Sequence, residues 1–230
     1  MEKKHTTDTA RFWDWAEEDG GRALQINGTI APDSWYEDDV TPERFRSELH
    51  SSMGPISVWI NSPGGDCVAA SRIYTMLMEY PYDVTVKIDG IAASAASVIA
   101  MAGTKVLMAP TALMMIHNPA TLAMGDHKDM EKAIEMLDAV KESIINAYEI
   151  RTGLDRKTIS RMMEDETWFD ANKAIELGFA DGTLDEHRER SKSEGMLFSQ
   201  RAIDKALVNR LASQVPVQPL YDRLTRMKDD

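Results

Sequence analysis

Cysteine, basic residues and long apolar runs are all scarce in this chain. Cys67 is the only cysteine among 230 residues, so the sequence contains neither a disulfide framework nor a cysteine-based metal site. One cysteine is typical of a reducing compartment, and we expect a cytoplasmic protein. The uncharged residues 90–104 number 15, whereas a membrane-spanning helix needs about 20 strongly apolar residues. We therefore expect no membrane contact, and the first residues lack the apolar core of a secretory signal.

Positive charge is also in short supply. The chain has 26 lysines and arginines against 38 aspartates and glutamates, which gives a net charge of −12. Nucleic-acid binding depends on clustered lysine and arginine, so we expect no nucleic-acid partner. The sequence has no Gly-x-x-x-x-Gly-Lys-Ser/Thr loop for nucleotide phosphates, so any ATP hydrolysis must come from another chain. We expect no cofactor and no metal ion.

The chain does contain a serine among small residues, followed by a histidine at the end of an apolar run. Ser94 lies in residues 90–97 (GIAASAAS), and His117 lies in residues 112–119 (ALMMIHNP). A nucleophilic serine must be reachable and must pass its proton to a base within about 2.6 to 3.2 Å. The other four histidines lie among polar residues, which leaves His117 as the best candidate base. Taken singly, Ser94 is better explained as a small residue at the start of a helix, and His117 as a hydrogen-bonded histidine of the core.

A glycine turn supplies the third element of the pattern. Residues 56–66 (ISVWINSPGGD) have the character of a buried strand that ends in Gly64 and Gly65. Glycines allow the backbone to approach a ligand and to turn N–H groups toward it. An acyl-transfer enzyme needs such donors at its oxyanion, where the loss of one costs about 2.7 to 4 kcal/mol. Strand, glycine turn, serine and histidine in this order indicate a serine hydrolase.

These segments resemble the motifs of the Clp protease proteolytic subunit family, ClpP. The motifs are residues 59–65 (WINSPGG), 90–96 (GIAASAA), 115–119 (MIHNP) and 174–181 (AIELGFAD). They follow the order of the family, and the resemblance extends from about residue 24 to residue 181. Three aromatic segments, residues 11–15, 31–35 and 166–169, resemble the phage and prophage members. Those members are thought to mature phage heads by cleaving scaffold or capsid protein.

The resemblance implies a role for each matching residue. Ser94 corresponds to the nucleophile and His117 to the general base. The backbone N–H groups of Gly65 and Ala95 correspond to the oxyanion hole. The third member of the triad is an aspartate twelve residues before a glycine in the family, and counting back from Gly178 gives a glutamate, Glu166. A glutamate can still orient the imidazole, although it has one more methylene group.

Several alternatives to these assignments stay open. Asp165 and Asp170 are rivals of Glu166, although Asp170 has the pattern of an N-cap for a helix over residues 171–177. A Ser-His pair assisted only by backbone or water is a further possibility. Ser97, one helical turn after Ser94, is expected to be a packing residue, and Cys67 a structural one. A serine-lysine dyad would need Lys105, and an acyl-CoA enzyme of the crotonase type would not use the serine.

The fold class follows from alternating strand and helix patterns. Strands are predicted at residues 23–30, 56–60, 84–88, 106–108 and 113–116, and helices at residues 44–49, 68–79 and 94–102. This alternation predicts an α/β fold with a largely parallel sheet. The resemblance adds the ClpP/crotonase-like fold of repeated β-β-α units with a protruding handle helix. Residues 121–125 are expected to align an extended substrate.

Apolar residues recur at spacings of three and four over residues 126–151, which predicts one amphipathic helix about 39 Å long. Its apolar stripe packs either in the core of the subunit or against another subunit of an oligomer. The family resemblance favours the contact between subunits. We expect three regions: a polar N-terminal segment with an aromatic anchor at residues 1–20, a peptidase domain at 21–184, and a charged linker with a helical tail at 185–230.

The resemblance implies a serine endopeptidase that acts through an acyl-enzyme as a homo-oligomer of heptameric rings. The expected substrates are proteins, with phage scaffold or capsid protein in prohead maturation, in the host cytoplasm if a phage encodes the chain. The alternatives are a housekeeping Clp subunit fed by an AAA+ unfoldase and a catalytically inactive ring-forming scaffold.

Overall fold

The computed structural model describes residues 11–18, 21–31 and 41–184. The strands of this part are β1 (Trp13–Glu18), β2 (Gly21–Ile30), β3 (Ile56–Gly65), β4 (Val84–Ala93), β5 (Lys105–Met108), β6 (Leu113–Ile116), β7 (Thr167–Asp170) and β8 (Gly182–Thr183). The helices are α1 (Pro42–Leu49), α2 (Cys67–Met78), α3 (Ala95–Ala100), α4 (His127–Thr152), α5 (Arg156–Glu164) and α6 (Ala171–Glu176).

These strands form one mixed sheet that is parallel through its centre. The main order is β1-β2-β3-β4-β5-β8, and every neighbouring pair is parallel except the antiparallel pair of β1 and β2. Inner residues of the central strands, among them Val58, Ile60, Val86 and Ile88, have no exposed surface. Central parallel strands are normally buried in this way because helices cover the sheet. The predicted α/β class with the ClpP fold is confirmed.

Strand β4 changes its partner half-way along, and this change positions the site. It pairs with β5 as far as Ile88 and with β6 from Ile91 onward. Between these points Gly90 lies so close to the side chain of Asn61 that a Cβ on Gly90 would stand 2.5 Å from the amide oxygen. The second half of β4 runs beside β6, which ends one residue before His117.

Helix α4 projects from the domain. Asp126 and Asp129 form a capping box at its start, and Gly153 ends it in a left-handed conformation. Its buried residues, Ile144, Ile145, Ala147 and Tyr148, all lie in the C-terminal half. In the N-terminal half, apolar Met130, Ala133 and Leu137 are only half-buried, and Ile134 is 58% exposed. The helix therefore presents an apolar stripe that the described residues of the subunit do not cover.

The aromatic anchor near the start of the chain packs on its own domain. Phe12 and Trp13 are buried in the core, and β1 adds an antiparallel edge to the sheet. Among the described residues, the sheet thus begins at Trp13. The predicted linker and tail at residues 185–230 lie outside the described residues. Within the described ranges, no helix is long and apolar enough to cross a membrane.

Candidate active site

Ser94 occupies a sharp turn between β4 and α3. Its φ of 55° and ψ of −126° are values that a residue with a side chain rarely adopts, and such a conformation costs about 1 to 3 kcal/mol. Strained strand-to-helix turns of this kind expose the nucleophile of other hydrolases. Ser94 is half-exposed here, whereas the flanking Ala93 and Ala95 are buried. The turn therefore lifts the hydroxyl out of the apolar core.

The imidazole of His117 is within hydrogen-bond distance of the Ser94 hydroxyl. Its Nε2 lies 2.7 Å from Oγ of Ser94, within hydrogen-bond distance for proton transfer. The Ser94 amide donates to the carbonyl oxygen of Met115 at 2.9 Å, two residues before His117 on the same chain segment. The structure thus brings the predicted nucleophile and the predicted base together within one subunit.

The glycine turn at the end of β3 lies against the serine. A Cβ on Gly64 would stand 2.7 Å from Cβ of Ser94 and 3.0 Å from the backbone nitrogen of Ala95. Gly65, one residue further on, packs against the backbone of Ile30, where a Cβ would stand 2.3 Å from the carbonyl oxygen. Both positions require glycine on steric grounds. The sequence indicated the turn of Gly64 and Gly65, and the family resemblance selected Gly65 for the site. The sequence did not indicate the contact of Gly64 with Ser94, which depends on the pairing of β3 with β4.

Two opposing influences set the pKa of His117. Burial of the imidazole lowers it, because the charged form loses hydration, and the negative charge of Glu166 raises it in part. The histidine is consequently biased toward its neutral form, which is the form that accepts a proton. Neutral imidazole is the state that a general base requires near pH 7.

Glu166 lies beside the histidine because of the β6–β7 pairing. Ile116 is opposite Thr167 at the end of this antiparallel pair, His117 directly follows Ile116, and Glu166 directly precedes Thr167. The negative charge of Glu166 acts on His117 at this end of the pair. The residue has a φ of 48°, a second strained position at the site. Its Oε1 accepts a hydrogen bond from Nε1 of Trp168 at 3.2 Å.

The two rival aspartates occupy other positions. Asp165 caps the C-terminus of α5 and is exposed. Asp170 caps α6, where its carboxylate accepts the amide of Lys173 at 2.7 Å, as its N-cap pattern predicts. In the sheet Asp170 is opposite Leu113, at the far end of β6 from His117.

The other candidates are less suited to nucleophilic chemistry. Lys105 pairs with Thr85, nine residues before Ser94 along β4, which puts the two more than about 20 Å apart at 3.3 Å per residue. Burial and the neighbouring Asp66 raise the pKa of the Cys67 thiol, which disfavours the thiolate. Ser97 is buried, and its contacts are those of a structural residue rather than of a second nucleophile.

Comparison with known proteins adds a direct finding. A sequence model of the Clp protease family matches residues 32–187. The chain belongs to the Clp protease family. Its family resemblance is therefore confirmed, as is the predicted enzyme class, a ClpP-type serine peptidase.

The chain is about one-third identical to individual members of the Clp protease family. An ATP-dependent Clp protease proteolytic subunit of Bdellovibrio bacteriovorus is 32% identical over 170 residues, covering 72% of this chain and 80% of the relative. ATP-dependent Clp protease proteolytic subunit 1 of Streptomyces avermitilis is 32% identical over 155 residues, or 64% and 71% of the two chains. Subunit 3 of Streptomyces coelicolor is 34% identical over 151 residues, or 63% and 70%.

Proposed function

We propose that Ser94 is the nucleophile and His117 the general base of a serine endopeptidase that cleaves protein substrates through an acyl-enzyme. The 2.7 Å contact between Oγ and Nε2 is the observation that carries this proposal. Family membership supplies the reaction class, and the contact supports the choice of Ser94 and His117. General base catalysis of this kind contributes roughly 100- to 10,000-fold to the rate.

In the first half of the reaction, Oγ of Ser94 bonds to the carbonyl carbon of the peptide while its proton passes to Nε2 of His117. The amides of Gly65 and Ala95 donate to the oxyanion of the tetrahedral intermediate. This role is supported by the position of the glycine turn, because Gly64, one residue before Gly65, lies against Ser94 and the backbone nitrogen of Ala95. The imidazolium then returns the proton to the leaving amine as the C–N bond breaks. The acyl group remains on the serine as an ester.

In the second half, a water molecule attacks the ester, and His117 takes its proton. Collapse of this second intermediate releases the carboxylic acid and returns the proton to Oγ of Ser94. Glu166 is the proposed third member of the triad, because its charge acts on His117 and stabilises the imidazolium that forms in each half.

A ring-shaped homo-oligomer, built from heptameric rings, is the proposed working form. The uncovered apolar stripe in the first half of α4 supports an interface between copies of the chain. Residues 121–125 precede this helix, and exposed Leu122 and Met124 offer apolar contacts for an extended substrate. Because the relatives named above are called ATP-dependent, an AAA+ unfoldase that delivers substrate is the alternative partner.

The proposed biological setting is maturation of a phage prohead in the host cytoplasm, with scaffold or capsid protein as the substrate. Its support is the resemblance of the aromatic segments, two of which, residues 11–15 and 166–169, the structure describes in full. Trp13 anchors the added edge strand β1, and Trp168 holds the unusual Glu166. The alternative setting, a housekeeping Clp subunit fed by an unfoldase, is supported by the names of the relatives, which are ATP-dependent Clp protease proteolytic subunits.

The test combines peptide hydrolysis with native mass measurement. The intact chain should cleave a fluorogenic peptide with a burst of one product equivalent per subunit, and Ser94→Ala should abolish the burst. Addition of an AAA+ unfoldase then separates the two settings: unchanged cleavage of a folded protein supports action without an ATPase, and strong stimulation supports the housekeeping role. A peptidase rate that survives Ser94→Ala contradicts the proposed mechanism.

A further inference from the structure

A buried hydroxyl holds the backbone of the proposed nucleophile. Ser97 lies on α3 with no exposed surface. Its Oγ donates to the carbonyl oxygen of Ser94 at 2.6 Å, and its backbone N–H donates to the same oxygen at 2.9 Å. The carbonyl of Ser94 is therefore fixed by two donors from one residue. This fixes ψ of Ser94, one of the two angles that define the strained turn.

The chain of hydrogen bonds continues into α4. The phenol of Tyr148 lies 2.8 Å from Oγ of Ser97. A serine hydroxyl has one proton, and Ser97 uses it on the carbonyl of Ser94, so Tyr148 must donate to Ser97. Burial raises the pKa of the Tyr148 phenol far above its usual range, which keeps it protonated and able to donate at any working pH. The two hydroxyls thus form a directed chain from α4 to Ser94.

Packing alone does not account for these two hydroxyls. The neighbours of Ser97 on α3, Ala96, Val98 and Ile99, are buried and apolar, and the ring of Tyr148 packs edge-on against Phe179 at 5.7 Å. Alanine and phenylalanine would fill the same space without placing polar atoms in the core. Each hydrogen bond has a net value of only about 1 kcal/mol, whereas the strain at Ser94 costs about 1 to 3 kcal/mol. The hydrogen bonds of Ser97 and Tyr148 are thus comparable in free energy to the strain at Ser94. They therefore act on the conformation of Ser94 as much as on overall stability.

We propose that Ser97 and Tyr148 are positioning residues that hold Ser94 in its strained, reactive conformation and link that conformation to helix α4. This inference rests on the proposed role of Ser94 as the nucleophile. Neither residue touches the substrate or the transferred proton. The hydrogen bond between Ser97 and Tyr148 joins the turn at Ser94 to the buried C-terminal half of α4. The N-terminal half of the same helix carries the uncovered apolar stripe.

The experiment compares Tyr148→Phe, Ser97→Ala and the double variant in the full chain. Each single variant should lower kcat and the second-order rate of fluorophosphonate labelling by about 5- to 30-fold, the factor that 1 to 2 kcal/mol produces. KM should stay within about twofold, because substrate contacts are untouched. The double variant should be no slower than the slower single variant, because both changes break the same chain.

Tyr80→Phe is the matched control. Tyr80 is also buried, and its phenol donates to a backbone carbonyl, that of Gly54, at 2.8 Å. It lies beyond the end of α2, away from Ser94. Melting temperatures should fall similarly in Tyr80→Phe and Tyr148→Phe, whereas only Tyr148→Phe should lose labelling rate.

The outcomes separate this inference from the proposed function. If the unchanged chain is not labelled at Ser94, the proposed function fails. If it is labelled and Tyr148→Phe and Ser97→Ala react at the same rate, the positioning role is overturned. Additive losses in the double variant also overturn it. Should Tyr148→Phe misfold or change the native mass, Ser97→Ala, which removes one oxygen atom and leaves α4 unaltered, decides the question.

Discussion

The Ser94 amide donates to the Met115 carbonyl oxygen at 2.9 Å, so the strand that leads to the base also holds the backbone of the nucleophile. Three β-sheet pairs between β4 and β6 lead into this contact. The distance between Ser94 and His117 is consequently set by sheet register and does not depend on a flexible loop. A single subunit completes the serine–histidine contact.

Gly64→Ala should inactivate the enzyme. The new Cβ would stand 2.7 Å from both the carbonyl oxygen of Ala93 and Cβ of Ser94, and the φ of 98° adds strain. The turn must shift, and a displacement of about 1 Å at a reacting group can cost about 100-fold in rate. We expect a loss of at least about that size in the rate of fluorophosphonate labelling.

Gly54→Ala is the control for this change. Gly54 has a comparable φ of 112°, but a Cβ there meets nothing within 4 Å. It should lose stability from backbone strain alone and keep the labelling rate. Equal labelling of the Gly64 and Gly54 variants would show that the glycine turn does not support the serine.

Glu166→Gln should lower activity and shift its pH dependence. His117 must be neutral to accept a proton, and Glu166 raises its pKa against the larger lowering by burial. The removal of that charge lowers the pKa of His117 further, so the acidic limb of kcat/KM should move to lower pH. The plateau should fall by about 100-fold or more, as expected for loss of the residue that orients the imidazole.

Asp165→Asn and Asp170→Asn are the matched controls, since each neutralises a nearby carboxylate. Asparagine caps a helix as well as aspartate does, so α6 should keep its N-cap in Asp170→Asn. Both variants should retain kcat and the pH profile. If either loses as much activity as Glu166→Gln, the triad assignment is wrong.

Trp168→Phe tests the support of the glutamate. The change removes the indole N–H that reaches Oε1 of Glu166 at 3.2 Å and keeps an aromatic ring. We expect kcat to fall by about 5- to 30-fold, from the loss of about 1 to 2 kcal/mol in positioning. Trp59→Phe, which removes a similar indole bond to Glu18, should leave kcat unchanged. Equal effects of both changes would argue for a general loss of stability.

Leu137→Glu should dissociate the oligomer. The residue lies in the apolar stripe of α4, and a charge buried there without a partner is costly. Native mass spectrometry should record a smaller assembly. Ala139→Glu, two residues on and roughly opposite around the helix, should keep the native mass. Retention of the full assembly by Leu137→Glu would place the interface elsewhere.

The sequence was most informative where the chemistry depends on local patterns. Small residues around Ser94, the apolar run before His117 and the N-cap pattern of Asp170 are each visible within a few residues. The parallel strands were likewise predictable from their apolar runs. By contrast, acidic β1, which contains Trp13 and Glu18, lacks the pattern of a strand, and four-residue β7 is too short to stand out.

Contacts between distant segments could not be predicted. Ser97 and Tyr148 are 51 residues apart, and nothing in either local sequence indicates their shared hydrogen bond. Gly64 meets Ser94 because the register between β3 and β4 shifts after Ile60 and places Ser62 opposite Ala92. The position of Glu166 depends on the β6–β7 register, which family resemblance could indicate but residue periodicity could not.

The most direct test of the central claim is intact-mass analysis after treatment with a fluorophosphonate. We predict one adduct per subunit, mapped to Ser94, absent in Ser94→Ala and formed at least about 100-fold more slowly in His117→Gln. Labelling of Ser94→Ala at the rate of the unchanged chain, or no adduct on the intact assembly, would contradict the assignment of Ser94 and His117 as a catalytic pair.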